Sequence, residues 1–315
     1  MDRVSFSSLS SFLADEPCVL IRKNVPVSML TSIRIGGNAA LTLTPRDGGC
    51  LIRLLDRLSH AGILYRVIGN GTNLIGPDAG YGGVLIQTAG IDRISVSGTT
   101  LVAGAGVPIG RAIRRAMEAG LSGLEELYGV PGTVGGALYM NAGAFGRTVS
   151  DVLRHATLYD PASGEVTVKT PRSLDFGYRT GAIRREGTVV LSAAFSLTPD
   201  EPERIADRMS DVIKKRRATQ PIDLPSAGSH FRRPDPDRPV GRLIADAGCA
   251  GMCEGGAAVS TLHAGFIVNT GGATESDVRR LAERVRERVA EKYGIELQTE
   301  VEYLSDLGAY QTGEA

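Results

Sequence analysis

The chain has 315 residues, 42% apolar and 22% charged, with 35 basic side chains against 35 acidic ones. This is globular composition with room for two or three domains, and its charge balance argues against holding nucleic acid or anionic lipid by bulk electrostatics. No apolar run approaches the roughly eighteen residues of a membrane span and the first residues lack a signal-peptide core, so a cytoplasmic protein without nucleic-acid or membrane partners is expected. Cys18, Cys50, Cys249 and Cys253 are too few for a disulfide framework. Cys249 and Cys253 have helical-turn spacing, but no second Cys/His pair stands near them, so no metal is expected.

In chain order, Asn24 to Asn38 alternates polar and apolar residues up to Gly36-Gly37, and Ala39 to Pro45 reads as a strand. A helix follows with Leu51, Leu54, Leu55 and Leu58 on one face and Gly62 as its stop. The apolar run Ile63 to Ile68 and the later Val84-Leu85-Ile86 complete a small β-α-β unit. From Ile94, ISVSG and TTLVAGAG read as a hairpin, and a helix from about Pro108 to Ala119 aligns Ile109, Ala112, Ile113 and Ala116. His155 to Tyr159 and Glu165 to Lys169 flank the turn Asp160-Pro-Ala-Ser-Gly164, and Thr188 to Leu197 is a further strand, giving a mixed α+β second unit. A third unit opens near Glu201 with a helix that aligns Ile205, Met209, Val212 and Ile213. It ends in Lys214 to Arg217, where positive charge suits the helix dipole and can also face a phosphate. The last helix, Glu275 to Tyr293, is opened by Thr274 with Asp277, buries Val278, Leu281, Val285 and Val289, and stops at Gly294 before a closing strand from Glu296 to Tyr303.

Two glycine-rich stretches interrupt this pattern. Gly69-Asn70-Gly71-Thr72-Asn73 follows a strand directly, the setting in which successive backbone N–H groups converge on an anion. Gly129 to Gly136, stiffened by Pro131, lets main chain approach a pyrophosphate or a flat ring, although glycine clusters also mark tight turns. Two such loops favour a dinucleotide.

Several stretches taken together, TSIRIGGNA, IGNGTNLI, GLSGLEELYGVPGTVGGALYMNAGAFG, FGYRTGA, PSAGSHFRRP and HAGFIVN, resemble the FAD-dependent UDP-N-acetylenolpyruvoylglucosamine reductases of peptidoglycan synthesis, in that family's order. The first two are similar to loops of the wider flavin-binding superfamily, so the later ones carry the resemblance. It implies an α+β chain in which a two-part FAD-binding region, of the vanillyl-alcohol-oxidase or PP-loop-like flavin fold, precedes a C-terminal α+β substrate domain. The expected divisions are 1–90 and 91–200 for the two FAD subdomains, 201–299 for the substrate domain and 300–315 for a strand and tail returning to the FAD region.

The same resemblance implies hydride transfer from NADPH to FAD and on to the enolpyruvyl group of a UDP-sugar. Negative charge then builds at the α-carbon and carboxylate, which calls for a cation, donors and an acid. By matched motif, Arg179 is the expected cation, Ser229 the proton donor and Glu300 the glutamate beside it. Read from composition alone, Arg179 pairs with a surface carboxylate, PSAGS is a turn, and Glu300 shares a strand face with Glu296 and Glu302. Arg34, Gly69, Asn70, Gly71, Thr72, Asn73, Gly132, Thr133, Gly135, Gly136, Asn141, Ala142 and Gly143 are the expected FAD residues, and Tyr178, Arg232, Arg233 and His263 the expected substrate residues. With no histidine or cysteine between Gly69 and Asn73, FAD is expected to be non-covalent, and the protein a monomer or weak dimer. The chain departs from the family pattern at Thr219 (commonly lysine), Gly181 (serine), His230 (apolar) and Arg232-Arg233, whose guanidinium groups still suit a diphosphate. Two other readings stay open: an oxidase of the same superfamily acting on another sugar or alcohol, and a catalytically silent flavin or UDP-sugar binder.

Overall fold

The computed structural model describes residues 17–306 apart from Pro236, so residues 1–16 and the 307–315 part of the tail lie outside the described residues. In the first sheet the strand Asn38–Pro45 runs parallel to Tyr81–Gln87, which runs parallel to Tyr65–Ile68. Parallel neighbours need a crossover, and the helix Gly48–His60 supplies one, capped by Asp47 accepting from the Cys50 N–H at 2.8 Å and burying Leu51, Leu54, Leu55 and Leu58. A strand the sequence pattern did not reveal, Val19–Pro26, lies antiparallel along the sheet edge. Most of its side chains are exposed on both faces, so no alternation marks it. Cys18 at its start is disulfide-bonded to Cys50 in the helix.

The second sheet is antiparallel throughout, in the order Glu165–Lys169, Leu153–Asp160, Val189–Ser196, Thr100–Gly104, Ile94–Ser97. Leu101, Ala103 and Phe195 pack under the helices Ile109–Glu118, Val134–Tyr139 and Pro202–Thr219 in one core. The third sheet orders Ser226–Ser229, Phe266–Asn269, Ala257–Val259 and Cys253–Glu254, and the helix Glu275–Tyr293 packs onto it. Ile33, Ile35 and Ile75 enter this last core. Asp78 reinforces the contact, its carboxylate accepting from the N–H groups of Glu275 at 2.6 Å and Ser276 at 3.1 Å at the helix start.

Two expectations need correction. Ser226–Ser229 is a strand rather than a turn; Gly228, at φ 83°, forms the irregularity in its pairing. The segment from Glu296 is not one strand, because its extended backbone is divided among partners. Gln298 O accepts from Arg232 N, Glu300 N donates to His230 O, and Glu302 N donates to Asn73 O. Only Glu302–Tyr303 forms a ladder, parallel to Leu74–Ile75. Glu296, Glu300 and Glu302 therefore do not share a face: Glu296 is exposed, Glu300 buried, and Glu302 half-buried against Arg184. Among the described residues no helix is long and apolar enough to cross a membrane, and no cluster of His, Cys, Asp or Glu could hold a metal.

Candidate active site

The loop Gly69 to Asn73 leaves the carboxyl end of a parallel strand, where open α/β sheets bind ligands. Close approach dictates its glycines. A Cβ on Gly69 would lie 2.4 Å from Thr133 Oγ1, and one on Gly71, at φ 58°, would lie 2.1 Å from Leu30 O. The second glycine stretch faces it, with Thr72 Oγ1 donating to Pro131 O at 3.5 Å. Part of that stretch is a helix whose first N–H groups are already used: Gly135 N donates to Ala105 O and Gly136 N to the capping Thr133 Oγ1. The 69–73 loop differs, since among the described residues none of its backbone N–H groups has an acceptor. A row of free amides beside a tight second loop fits a dinucleotide diphosphate.

Arg179 and Glu300, 121 positions apart, meet at the end of this cradle with Arg179 Nε donating to Glu300 Oε1 at 2.8 Å. Arg179 sits at φ 55° in a tight turn closed by the Gly177–Thr180 bridge, a strained backbone for a side chain of its size. Its other nitrogens donate to Asn141 O at 3.4 Å and Gly143 O at 3.3 Å, and Asn141 Nδ2 donates to Gly177 O at 3.0 Å. Asn73 Nδ2 donates to Glu300 O at 3.2 Å, joining the loop to this pair. Burial raises the Glu300 carboxyl above its ordinary range, and the Arg179 charge and hydrogen bond, the Arg232 charge and a Tyr178 hydrogen bond pull it back. Such a carboxyl can take or share a proton at a site that also holds a fixed cation.

Ser229 comes alongside through the backbone, since Glu300 N donates to His230 O and Phe231 bridges Thr299. Its hydroxyl donates to Phe231 O at 3.1 Å. His263 lies on the Ser229 side, its Nδ1 accepting from Gly265 N at 3.1 Å, and burial lowers its basicity. Tyr178 is exposed, with the guanidinium groups of Arg179 at 5.5 Å and Arg233 at 5.4 Å from its ring. Arg232 Nε is buried without an acceptor, as is Asn141 Oδ1 without a donor, among the described residues. Ala142 shares the turn with Asn141 and Gly143, while the Arg34 side chain is exposed and makes no described contact with the cluster.

Burial at two positions escaped the sequence reading. Arg216, one of four consecutive cations, is 8% exposed, and a Cβ on Gly129 would lie 3.1 Å from its Cδ. It has no carboxylate or hydrogen-bond acceptor among the described residues, and burial alone lowers its basicity. Its position continues the apolar phase of Ile205, Met209 and Val212, which was the available signal. A guanidinium buried at the rim of the cradle without a counter-charge is costly unless an anion meets it.

His230 is buried, at 2% exposed, and burial together with the Arg286 charge pushes its pKa down to about 3. Below its unfolded value near 6.5, the unfolded chain binds a proton that the folded chain refuses, so stability falls with falling pH. Between neutrality and about pH 4.5 the loss from this residue is about 2 to 3 kcal/mol. Urea unfolding of wild type and His230→Phe at the two pH values checks it; equal pH dependence would contradict the buried neutral ring.

The geometry can be set beside known proteins. Residues 39–169 match a family described as FAD binding domain, and residues 220–304 match one described as UDP-N-acetylenolpyruvoylglucosamine reductase, C-terminal domain. A UDP-N-acetylenolpyruvoylglucosamine reductase of Thermotoga petrophila is 40% identical over 276 residues, covering 88% of this chain and 96% of its own. One of Geobacillus kaustophilus is 39% identical over 289 residues, covering 91% and 93%. The crystal structure of UDP-N-acetylenolpyruvylglucosamine reductase from Thermus caldophilus superposes with a TM-score of 0.76 at 33% identity, over 90% of this chain and 99% of that one. The cradle, the half-buried Arg179–Glu300 pair and these near full-length likenesses together make this chain a member of the UDP-N-acetylenolpyruvoylglucosamine reductase family.

Proposed function

We propose that the chain reduces UDP-N-acetylglucosamine enolpyruvate to UDP-N-acetylmuramate at the expense of NADPH, a step of peptidoglycan precursor synthesis. The observation that carries this reading is the half-buried Arg179–Glu300 contact, bonded through Asn73 to the loop with free amides. Gly69 to Asn73, Gly132 and Thr133 would hold the FAD diphosphate, with Asn141 to Gly143 toward its ring. FAD held there would supply hydride transfer between NADPH and the β-carbon of the enolpyruvyl group.

This chain's own residues handle the charge that follows. Arg179 stabilises the negative charge spreading over the α-carbon and carboxylate, and Glu300 fixes the guanidinium and polarises the same group. Ser229 turns its hydroxyl from Phe231 O and delivers its proton to the α-carbon. Tyr178, Arg232, Arg233 and His263 hold the UDP-sugar, the two arginines at the diphosphate. The four-part chain division, a cytoplasmic site of action and a monomer or weak dimer belong to the same reading. The C-terminal likeness at 220–304 supports it over the oxidase and silent-binder alternatives. Steady-state NADPH oxidation tests it: consumption should require the UDP-sugar and yield a product heavier by two hydrogens, and consumption without the sugar would refute it.

Arg216 is assigned to the FAD diphosphate. Arg216→Met should weaken FAD binding about 10- to 100-fold, matching one charge-assisted hydrogen bond of about 1.5 to 3 kcal/mol. Titrating FAD into the stripped protein checks this; unchanged FAD affinity with a raised KM for the UDP-sugar would move the contact to the substrate.

A further inference from the structure

Behind Ser229 and Glu300 lie two buried polar rings that the chemistry above does not use. His230 is 2% exposed and Tyr303 7%, and the Tyr303 hydroxyl stands 3.3 Å from His230 Nε2 with the rings edge-on. Burial keeps the imidazole neutral and holds the phenol well above its ordinary range, so both stay uncharged and the contact is a neutral hydrogen bond.

The two rings belong to segments that serve different parts of the site. His230 follows Ser229 directly and is bonded on both sides, its N–H to Gly265 O at 2.7 Å and its carbonyl from Glu300 N at 2.8 Å. Tyr303 lies beside the flavin loop, because Glu302 N donates to Asn73 O at 2.9 Å and Leu304 N to Ile75 O at 2.9 Å. The Tyr303 ring is itself held, with the Arg279 guanidinium 3.8 Å from its centre and Arg279 tied to Glu275 at 2.8 Å and Asp306 at 2.7 Å. Backbone bonds from Arg232 N to Gln298 O and from Glu300 N to His230 O, both at 2.8 Å, join the serine segment to the 298–300 part of the segment leading to the flavin loop. The ring-to-ring bond adds a point beyond them at Tyr303, next to the flavin loop itself, and the separated points set both spacing and orientation. We propose that the His230–Tyr303 bond is a pin that fixes Ser229 relative to the flavin loop, making both residues positioning residues for reduction of the UDP-sugar and not for oxidation of NADPH. The consequence is kinetic: a proton donor displaced by an ångström loses rate steeply, whereas the nicotinamide needs no proton from Ser229.

This inference rests on Ser229 as the proton donor, and the experiment separates the two claims. Holoenzyme variants His230→Phe, Tyr303→Phe and the double substitution are mixed with NADPH and then with UDP-N-acetylglucosamine enolpyruvate, and flavin colour is followed. Tyr303→Phe removes only a hydroxyl, and melting temperatures confirm folding. Bleaching by NADPH should stay within about two-fold of wild type, while recolouring by the sugar should fall about ten-fold in each single variant and no further in the double one. The pH profile of recolouring should keep its shape, and His230→Gln, which retains a hydrogen-bonding group, should recover most of the rate. Wild-type recolouring in Tyr303→Phe, losses that multiply in the double variant, or parallel loss of both steps would overturn the pin. Wild-type recolouring by Ser229→Ala would instead overturn the proton-donor assignment.

Discussion

Ser229→Ala is expected to bleach with NADPH at the wild-type rate and to recolour with the UDP-sugar about 10²- to 10⁴-fold more slowly, the range supplied by a positioned general acid. The substitution is well suited to the question. The Ser229 hydroxyl makes one described hydrogen bond, to Phe231 O in its own segment, and the strand is held by backbone pairs that alanine keeps. Folding should therefore change little, and a loss confined to one half of the cycle can be assigned to the missing proton. A serine hydroxyl is intrinsically a poor acid. On the proposed reading it would work only because the α-carbon carries developing negative charge and because Arg179 and Arg232 stand near the carboxyl it shares the site with. Equal slowing of both half-reactions would show that the hydroxyl shapes the site and donates no proton.

Arg179→Ala is expected to raise the barrier of the sugar half-reaction by about 3 to 4 kcal/mol, a loss of roughly 10²- to 10³-fold, by comparison with removal of a single oxyanion donor. Two effects add in the same direction. The cation opposite the developing charge disappears, and Glu300 loses both the charge and the hydrogen bond that offset its burial. Its carboxyl then rises further, which disfavours the polarising carboxylate at the same time as the guanidinium is removed. Arg179→Lys should recover little, because the bonds to Glu300, Asn141 and Gly143 need the planar fork of arginine. The split between kcat and KM decides the assignment: a change in KM alone would make Arg179 a binding residue only.

Helical periodicity exposed the core helices to sequence reading, down to the Thr274–Asp277 capping box that the fold contains. It also carried the buried phase of the Pro202–Thr219 helix, which runs on to Arg216, although a run of four cations disguised that residue as a solvated helix end. What stayed hidden depends on pairing between distant segments. Val19–Pro26 is an edge strand with no buried face, and the Cys18–Cys50 bond follows from its placement against a helix 32 positions away. The 296–303 segment has strand-like composition, yet its backbone bonds serve the serine segment first and the flavin loop after it. Composition could not distinguish Glu300 from Glu296 and Glu302; matched motifs singled it out, and the structure supplies the cause, since it alone of the three meets Arg179.

The most direct measurement follows the colour of the purified protein without oxygen. Bound FAD should bleach on addition of NADPH and recolour with one equivalent of UDP-N-acetylglucosamine enolpyruvate, as UDP-N-acetylmuramate appears. Bleached protein that ignores the sugar and recolours only when air is admitted would contradict the assignment of Arg179, Ser229 and Glu300 to sugar reduction.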